Sequence, residues 1–524
     1  MSAVTPVQTS TQPDSLLCSL PPELILAILD QLDPVALLRI KSVCRLFKTL
    51  VEDTANLQYH IELAANGLVD GPRSGLSATE KLDMLRKRQT AWDKLLWVDQ
   101  KRVPMTNGHL YELYGGVLAQ SSGQRSLVFR RLPSHFRRIE ERVWTIEDVG
   151  VSMRDFGMDP GQDLLVIIEE AEEPHKMCRI HLRKLSTGGP HPSTSDPHIL
   201  LHRPVTRFPS SYNIQVCGDF VGVCFMGELE VGPELSIWNW KTRTLQMTLD
   251  GPIFCFAFLS RCHVIVSLDT MPTQSLSVYN FVDREHGAVT VEDETHTFKF
   301  MFPPYRSPLA PVDIIVRCDP CPDWTAPSDV PFYVAPDNRT YVVTLVYDVQ
   351  FGTVGVYSLF IPASTFLSRL PPPQGSYAAS VSERQRDFAW TDWGPTGCRM
   401  LSSLRLSLSW VCWVYGSKFV SWDMGVSRGT LLRPKIYDFN LRGLRRSESS
   451  AENNEYEHMI GQADGDPLAL FTESMITSYP YRMKSTSLNV PGWTPTDTNS
   501  VMLSEDSIIL VSAATRREFI ILTF

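Results

Sequence analysis

The 524-residue sequence has no long hydrophobic run and no excess of positive charge, and its first seventeen residues contain neither Lys nor Arg. A membrane-crossing helix needs about eighteen or more apolar residues without charge, and no stretch approaches that length, so no membrane partner is expected. Lys and Arg number 49 against 58 Asp and Glu, which argues against nucleic-acid binding because that function needs a basic face. Leu16-Leu17 is too short for the apolar core of a signal peptide, so none is expected.

Cysteine is present in an odd number, eleven, and mostly within apolar runs. This pattern is typical of reduced, buried thiols rather than of a disulfide framework, so we expect a cytoplasmic or nuclear protein. Hydrophobic residues make up 43% of the chain and charged residues 20%, as in ordinary globular proteins. The length leaves room for two or more domains with a sizeable core.

The sequence also lacks the motifs that carry catalysis or cofactor binding. It has no Gly-x-Ser-x-Gly elbow, no phosphate-binding glycine loop and no dinucleotide-binding fingerprint. Cys318 and Cys321 have the spacing of two zinc ligands, but zinc takes four and no second pair follows nearby, so we interpret them as loop thiols. His191, His198 and His202 lie in a proline-rich linker and are interpreted as surface-loop residues. We therefore predict no catalytic residue, no metal, no cofactor and no enzymatic activity.

Residues 19–51 contain three short helical patterns. Leu24, Ile28 and Leu32 recur every four residues and give the first helix one apolar face. Asp33-Pro34 is a typical helix start, because the carboxylate can cap free N–H groups and proline fits the first turn. The apolar positions of the next two helices are Val35, Leu37, Leu38, Ile40, Val43, Leu46, Phe47, Leu50 and Val51. Three helices this small cannot bury so many aliphatic side chains among themselves, so another surface must cover them.

The residues Leu20-Pro-Pro-Glu-Leu24, the Leu32-Asp-Pro turn and Val43-Cys-Arg-Leu-Phe47 resemble the F-box family. The adjoining segment, 57–71, resembles the continuation of the box in fungal F-box proteins. The resemblance implies that this module docks on the Skp adaptor subunit of Skp–cullin–F-box ubiquitin ligases. It implies that the docking surface is formed or supported by Leu20, Pro21, Leu24, Ile28, Leu32, Leu37, Leu38, Val43, Cys44 and Phe47. The alternative is an ordinary helical bundle that packs against its own chain.

A second helical segment comes after the F-box. Ser77-Ala-Thr-Glu80 has the spacing of a capping box, and the apolar residues after it, including Leu85 and Trp92, share one stripe. We interpret 67–106 as a stiff connector helix between the F-box, at 19–66, and the C-terminal part of the chain. The tail 1–18 is rich in Ser, Thr and Gln and is expected to be disordered.

From about residue 107 the apolar pattern changes to period 2, in short segments rich in β-branched and aromatic residues and separated by Gly, Pro, Asn and Asp. The sequence therefore predicts an α+β chain of several domains, with an all-α N-terminal part and a large all-β domain at 107–524. Polar or proline-rich stretches at 319–331, 371–385 and 445–467 are expected to be loop insertions, the last of them disordered.

Several β segments share an aliphatic residue, an aromatic residue, Asn or Asp, and a second aromatic residue. They are LSIWNW at 235–240, LSVYNF at 276–281 and KIYDF at 435–439, with VGVYSL at 354–359 as a looser copy. Trp238, Tyr279, Tyr357 and Tyr437 are separated by 41, 78 and 80 residues, which we interpret as one unit followed by two doubled units. A unit of about 40 residues has the size of a propeller blade. We predict a degenerate β-propeller of about seven blades, with six or eight as alternatives, rather than a standard WD-repeat array or a leucine-rich repeat.

These features predict a substrate-recruiting adaptor subunit of a cullin-type ubiquitin ligase. The F-box would bind the Skp adaptor and through it a cullin, and the β domain would bind a target protein whose identity the sequence does not reveal. Such a subunit acts by proximity, because it holds a target lysine near the ubiquitin carrier. The alternative is an F-box scaffold or sensor that acts outside ubiquitin transfer.

Overall fold

A computed structural model of the chain describes residues 20–72, 75–170, 177–204, 211–226, 232–269, 274–282, 288–291, 296–306, 311–348, 354–370, 386–402, 412–424, 432–444, 457–466 and 470–524. Within these ranges, none of the helices combines the length and the apolar character that a membrane crossing requires. The predicted disordered tail 1–18 and the predicted insertion 371–385 lie outside the described residues.

Helices dominate the N-terminal part of the chain. The elements are α1 (Pro22–Leu29), α2 (Pro34–Lys41), α3 (Arg45–Asp53), α4 (Ala55–Ala65), the short strand β1 (Leu68–Asp70), α5 (Ala78–Lys94) and then the strand β2 (Asp99–Pro104). The predicted capping box begins α5: Ser77 Oγ accepts a hydrogen bond from the Glu80 N–H, and the Glu80 carboxylate accepts one from the Ser77 N–H. The α5 helix ends at Lys94, and the residue after it, Leu95, adopts a left-handed conformation.

Seven antiparallel sheets come next, and each forms one blade. Blade 1 contains β3 (Tyr111–Tyr114), β4 (Val117–Ser122), β5 (Ser126–Arg131) and β6 (Arg142–Ile146); blade 2 contains β7 (Met153–Asp159), β8 (Leu164–Glu169), β9 (Met177–Lys184) and β10 (Ile199–Pro204). Blade 3 contains β11 (Ser211–Cys217), β12 (Phe220–Met226), β13 (Glu234–Asn239) and β14 (Thr244–Asp250); blade 4 contains β15 (Ile253–Phe258), β16 (His263–Leu268), β17 (Ser275–Asn280) and, after β18 (Ala288–Thr290), β19 (Phe298–Met301).

The remaining blades carry the insertions. Blade 5 contains β20 (Pro311–Arg317), β22 (Thr340–Asp348), β23 (Val354–Pro362) and β25 (Arg399–Ser402), with β21 (Phe332–Val334), α6 (Ala363–Leu367), β24 (Arg386–Phe388) and α7 (Trp390–Gly397) between them. Blade 6 contains β26 (Val414–Tyr415), β27 (Lys418–Met424), β28 (Leu432–Asp438), β32 (Tyr481–Ser485) and β29 (Glu457–Met459), and a small pair is formed by β30 (Ala463–Asp464) and β31 (Ile476–Thr477). Blade 7 contains β33 (Ser500–Leu503), β34 (Ser507–Ser512), β35 (Glu518–Thr523) and β2. The strands β18 and β24 pair in parallel with the outer strands of blades 3 and 4.

The seven sheets are arranged in a ring. First strands of neighbouring blades contact one another, as β3 does with β7, β7 with β11, β11 with β15 and β15 with β20, so these strands surround the centre. Blade 7 closes the ring, because β35 pairs with β34 on one side and with β2, from before blade 1, on the other. This is the architecture of a seven-bladed β-propeller and confirms the predicted fold.

The recurring aromatic segments are the third strands of successive blades. Trp238, Tyr279, Tyr357 and Tyr437 lie on β13, β17, β23 and β28, in blades 3, 4, 5 and 6. The interpretation of the longer spacings as doubled units is therefore wrong, because each of them spans a single blade step. The added length lies in insertions: the segment 318–339 before Tyr357, and the helices α6 and α7 after it.

Two stretches differ from what their sequence patterns predict. The strand β2 lies within 67–106, and its residues Asp-Gln-Lys-Arg-Val-Pro include one buried side chain, Val103, so they show no period-2 apolar pattern. Residues 445–456 and 467 of the predicted disordered insertion lie outside the described residues. Within the rest of that insertion, β29 pairs with β32, and β30 pairs with β31.

Candidate functional site

The first four helices form a small core of their own. Asp33 Oδ1 accepts hydrogen bonds from the N–H groups of Val35, at 2.8 Å, and Ala36, at 3.0 Å, so α2 begins where the Asp-Pro pair predicts. The buried side chains of this core are Ile25, Leu29, Leu37, Phe47, Val51 and Leu57. They come from α1, α2, α3 and α4, and they hold the short helices together by apolar burial.

Other aliphatic side chains of the same helices point to solvent. Large exposed side chains occur at Leu24, Ile28, Val35, Leu38, Val43 and Leu46. They are six of the sixteen large apolar side chains that are exposed among the described residues, and all six lie within α1, α2, α3 or the turn before α3. Such a concentration of exposed apolar surface in one short segment is typical of a protein–protein interface.

The ten residues that the F-box resemblance singles out do not share one environment. Pro21, Leu24, Ile28, Leu38 and Val43 are exposed, Leu20, Leu32 and Cys44 are half-buried, and Leu37 and Phe47 are buried in the F-box core. Val35 and Leu46 are exposed but are not among the ten. Val35 lies three residues before Leu38 on the same helix, so helical spacing could have found it. Leu46 lies on α3, but its exposed neighbour Val43 lies in the turn before that helix, so the same spacing does not apply.

The helix α4 and the strand β1 join the F-box to the propeller. Tyr59 and Leu63 on α4 are buried in the same core as the side chains of α5, blade 6 and blade 7. The strand β1 pairs with β21, which belongs to the insertion of blade 5. Asn440, after β28, donates from Nδ2 to the carbonyl of Ala65 at 2.8 Å. Contacts to three separate blades therefore fix the F-box on the propeller.

Four buried charged side chains hold α5 against blades 1 and 7; we call them the ion quartet. Arg88 Nε donates to Asp506 Oδ1 at 2.5 Å, Arg137 Nη1 donates to Glu505 Oε2 at 2.8 Å, and Arg137 Nε donates to Asp506 Oδ2. All four side chains are more than nine-tenths buried. Burial alone would raise the pKa of Asp506, but the guanidinium groups of Arg137 and Arg88 outweigh it and hold that pKa well below its ordinary value.

The insertion 318–339 of blade 5 is hydrogen-bonded to three other blades. The Cys321 N–H donates to Tyr114 OH at 3.0 Å, in blade 1, and Asp323 accepts from Arg261, in blade 4, at 2.8 Å. The Gly416 N–H, in blade 6, donates to the carbonyl of Asp319 at 2.7 Å. Because these blades lie at different positions around the ring, the insertion reaches across its centre. The strand β21 of the same insertion pairs with β1.

Carboxyl groups lie on the first strands of blades 1, 2 and 5, at Glu112, Asp155 and Asp313. Burial raises the pKa of Glu112 to about 7, although Arg317 lies nearby with its Nη2 3.3 Å from Glu112 Oε1. Burial also raises the pKa of Asp155 to about 7 and raises that of Asp313. Burial therefore favours the protonated, uncharged form of these carboxyl groups.

The two cysteine residues of the sequence motif are parts of the core. Cys318 and Cys321 are unpaired, buried thiols, and burial raises the pKa of Cys318 to about 12. Among the residues that the structure describes, no three His, Cys, Asp or Glu side chains are grouped so that they could hold a metal ion.

The interpretation of the histidines as surface-loop residues is wrong for two of the three. His191 is buried edge-on against Trp240, and His202 is buried on β10, where it pairs with Glu234 and stacks on Phe225. His191 Nε2 bonds to the carbonyl of Gln162, in the turn between β7 and β8, and His202 Nε2 bonds to Glu234 on β13. The prolines around the two histidines give no sign of these partners.

Comparison with known proteins identifies the N-terminal helices. The family model described as F-box-like matches residues 17–63. No curated protein sequence matched the chain. Similar solved structures include Hsv2 of Kluyveromyces lactis, which is 14% identical with a TM-score of 0.26 over 48% of this chain and 68% of that one. They also include the uncharacterized protein lmo1340 of Listeria monocytogenes EGD-e (9% identical, TM-score 0.27, 66% and 96% covered) and oligopeptidase B of Leishmania major (10% identical, TM-score 0.26, 74% and 58% covered).

Such low TM-scores support no conclusion, so the propeller assignment comes from the strand order of the chain. The N-terminal helices and the family match agree in position. The chain therefore carries an F-box-like domain at residues 17–63 joined to a seven-bladed β-propeller, which is the domain composition of an F-box protein.

Proposed function

We propose that this chain is a substrate-recruiting subunit of a Skp–cullin–F-box ubiquitin ligase. We also propose that it is of the fungal type, because segment 57–71 resembles the continuation of the box in fungal F-box proteins. Its F-box would bind the Skp adaptor, and through it a cullin, while the propeller would bind a target protein. The observation that carries the proposal is the row of exposed aliphatic side chains on α1, α2 and α3, in a segment that also matches the F-box-like model. Burying one such side chain against a partner is worth about 1.5–3 kcal/mol, so several together can hold a stable complex.

The exposed and buried members of the predicted surface have different roles in this proposal. Leu24, Ile28, Leu38 and Val43 would contact the adaptor, with Pro21 and the half-buried Leu20, Leu32 and Cys44 at their margins. Leu37 and Phe47 would support the surface from within the F-box core. Val35 and Leu46 join the contact residues because they are exposed beside them.

The chain would contribute proximity rather than bond chemistry. An F-box fixed on a propeller, with a target on the propeller, places the target lysine near the ubiquitin carrier and makes transfer effectively intramolecular. This role requires no catalytic residue in the chain itself. All cysteines of the described part are free thiols, and this is consistent with a reducing compartment, the cytoplasm or nucleus.

A pull-down with purified Skp adaptor tests the first contact. Replacing Leu24 and Ile28 together by Asp should abolish binding, because two carboxylates would be buried without partners at a cost of several kcal/mol. Leu201→Asp is a matched control: Leu201 is 57% exposed, close to the 53% of Leu24, but lies on the outer strand of blade 2. The control should bind like the wild type. Retention of adaptor by the double variant would refute the assignment of this helix face.

A further inference from the structure

A small cavity lies where blade 1, blade 7 and the insertion of blade 5 meet. Its volume is about 30 Å³, and the residues that line it include Gly115, Leu132, Arg137, Trp324, Glu505 and Ser507. Two of these, Arg137 and Glu505, belong to the ion quartet that holds α5. The cavity is therefore next to the contact that joins the F-box connector to the propeller.

Three of the residues that line the cavity each carry a buried polar side-chain atom that has no hydrogen-bond partner among the described residues. These atoms are Trp324 Nε1, Glu505 Oε1 and Ser507 Oγ. The three side chains are 5%, 6% and 0% exposed, so bulk water does not solvate them. A buried polar group that makes no hydrogen bond costs about 1–3 kcal/mol, so three in one cavity point to a ligand that satisfies them.

The chemistry of the three atoms selects the ligand. The indole N–H of Trp324 can only donate, so it excludes a metal cation or an ammonium ion as its partner, while Glu505 Oε1 accepts and excludes an anion. The charges around the cavity are also balanced, because Arg131 pairs with Asp329 and the ion quartet contains two cations and two carboxylates. A neutral molecule that both donates and accepts fits these requirements.

We propose that the cavity is a binding site for water, which accepts from Trp324 and donates to Glu505 while Ser507 bonds to it through its hydroxyl. A bound water needs roughly 10–15 Å³ of such space and two to four polar partners, so about 30 Å³ holds one or two molecules. The water joins the insertion of blade 5, through Trp324, to the turn of blade 7 that carries the two carboxylates of the ion quartet. Water-bridged contacts of this kind contribute nearly as much as direct hydrogen bonds.

A crystal structure of the full chain at about 1.8 Å resolution or better tests the site. We expect a density peak within hydrogen-bond distance of at least two of the three atoms, with the scattering of water. A cavity without a peak, a peak of a heavier ion, or a direct protein partner on Trp324 Nε1 would overturn the proposal.

Measurement of oxygen-17 relaxation dispersion of water gives a second readout in solution. Trp324→Phe removes the donor, so the signal from long-lived internal water should fall by the contribution of one or two molecules. Trp144→Phe is the matched control, because the Trp144 N–H donates to the carbonyl of Leu185 at 3.0 Å. An equal signal in the wild type and Trp324→Phe would contradict the site. Ser507→Ala removes a different partner and replaces Trp324→Phe if that variant does not fold.

Discussion

The side chain of Arg88 makes a buried ionic contact between α5 and blade 7. Arg88 donates to Asp506 and to the carbonyl of Glu505, at 2.5 and 2.6 Å, and is 3% exposed. The preceding residue, Lys87, pairs with Asp83 at 2.7 Å, but both of these side chains are more than half exposed. Neighbouring positions on one helix thus offer a buried and an exposed version of the same interaction.

This difference predicts how two substitutions change stability. Arg88→Met should lower the free energy of unfolding by about 3–5 kcal/mol, because it removes one partner of a buried ionic group and leaves excess carboxylate charge. Lys87→Met should change it little, because solvent screens an exposed pair. Urea unfolding followed by tryptophan fluorescence measures both. Equal losses in the two variants would show that the ion quartet contributes no more than a surface pair.

Residue environments in the F-box could be predicted only in part. Helical spacing identified Leu24 and Ile28 as one apolar face, and both are exposed. Spacing alone could not separate Leu37, which is buried, from Leu38, which is exposed, because both fit an apolar helix pattern and their burial depends on how α2 packs on α3 and α4. The interpretation of His202 as a surface-loop residue is wrong for a similar reason, because its partner Glu234 is on another blade.

Among the secondary-structure elements that the structure describes, β35 is the strand through which blade 7 closes the ring. It lies between β34 and β2, and the side chains from Phe519 to Leu522 are buried. Phe524, directly after it, stacks on Trp92 of α5 with ring centroids 4.0 Å apart. The last strand in the sequence therefore holds both the ring closure and the connector helix.

Deletion of Arg517–Phe524 should consequently prevent soluble expression or greatly lower the melting temperature. The deletion leaves β2 and β34 without their shared partner and exposes the core that both cover. Soluble yield and thermal unfolding of the deleted chain measure the effect. A melting temperature within a few degrees of that of the full chain would mean that blade 7 is not needed to close the ring.

The elements that sequence predicts best are the third strands, because they are buried on both sides and combine β-branched with aromatic residues. This pattern identified β13, β17, β23 and β28 and the approximate blade size. The pattern could not place β2, whose mostly polar residues are fixed by hydrogen bonds to β35 rather than by apolar burial. Insertions between strands lengthen the spacing between successive third strands, so the regular order of the blades could not be predicted from that spacing.

At the scale of the whole molecule, the F-box and the propeller are joined at several points. The ion quartet, the pairing of β1 with β21 and the bond from Asn440 to Ala65 involve blades 7, 5 and 6. The ion quartet ties α5 to blade 7, and β2 is itself a strand of blade 7, so both elements belong to the body of the propeller. A truncated chain that begins at residue 108 would lose the last strand of blade 7, so point substitutions on the F-box are the better way to remove its function.

The Leu24→Asp, Ile28→Asp double variant separates ubiquitin transfer from a scaffold role. If the proposed function is correct, the variant should still bind a target through its intact propeller but should no longer bring it to the adaptor. The target should then last longer in cells than with the wild type, because the variant occupies it without leading to its degradation. The half-life of the strongest interactor after translation shut-off measures this, with Leu201→Asp as the control that should leave it short. A scaffold or sensor predicts the same half-life for wild type, double variant and control, and that result for several confirmed interactors would favour the scaffold.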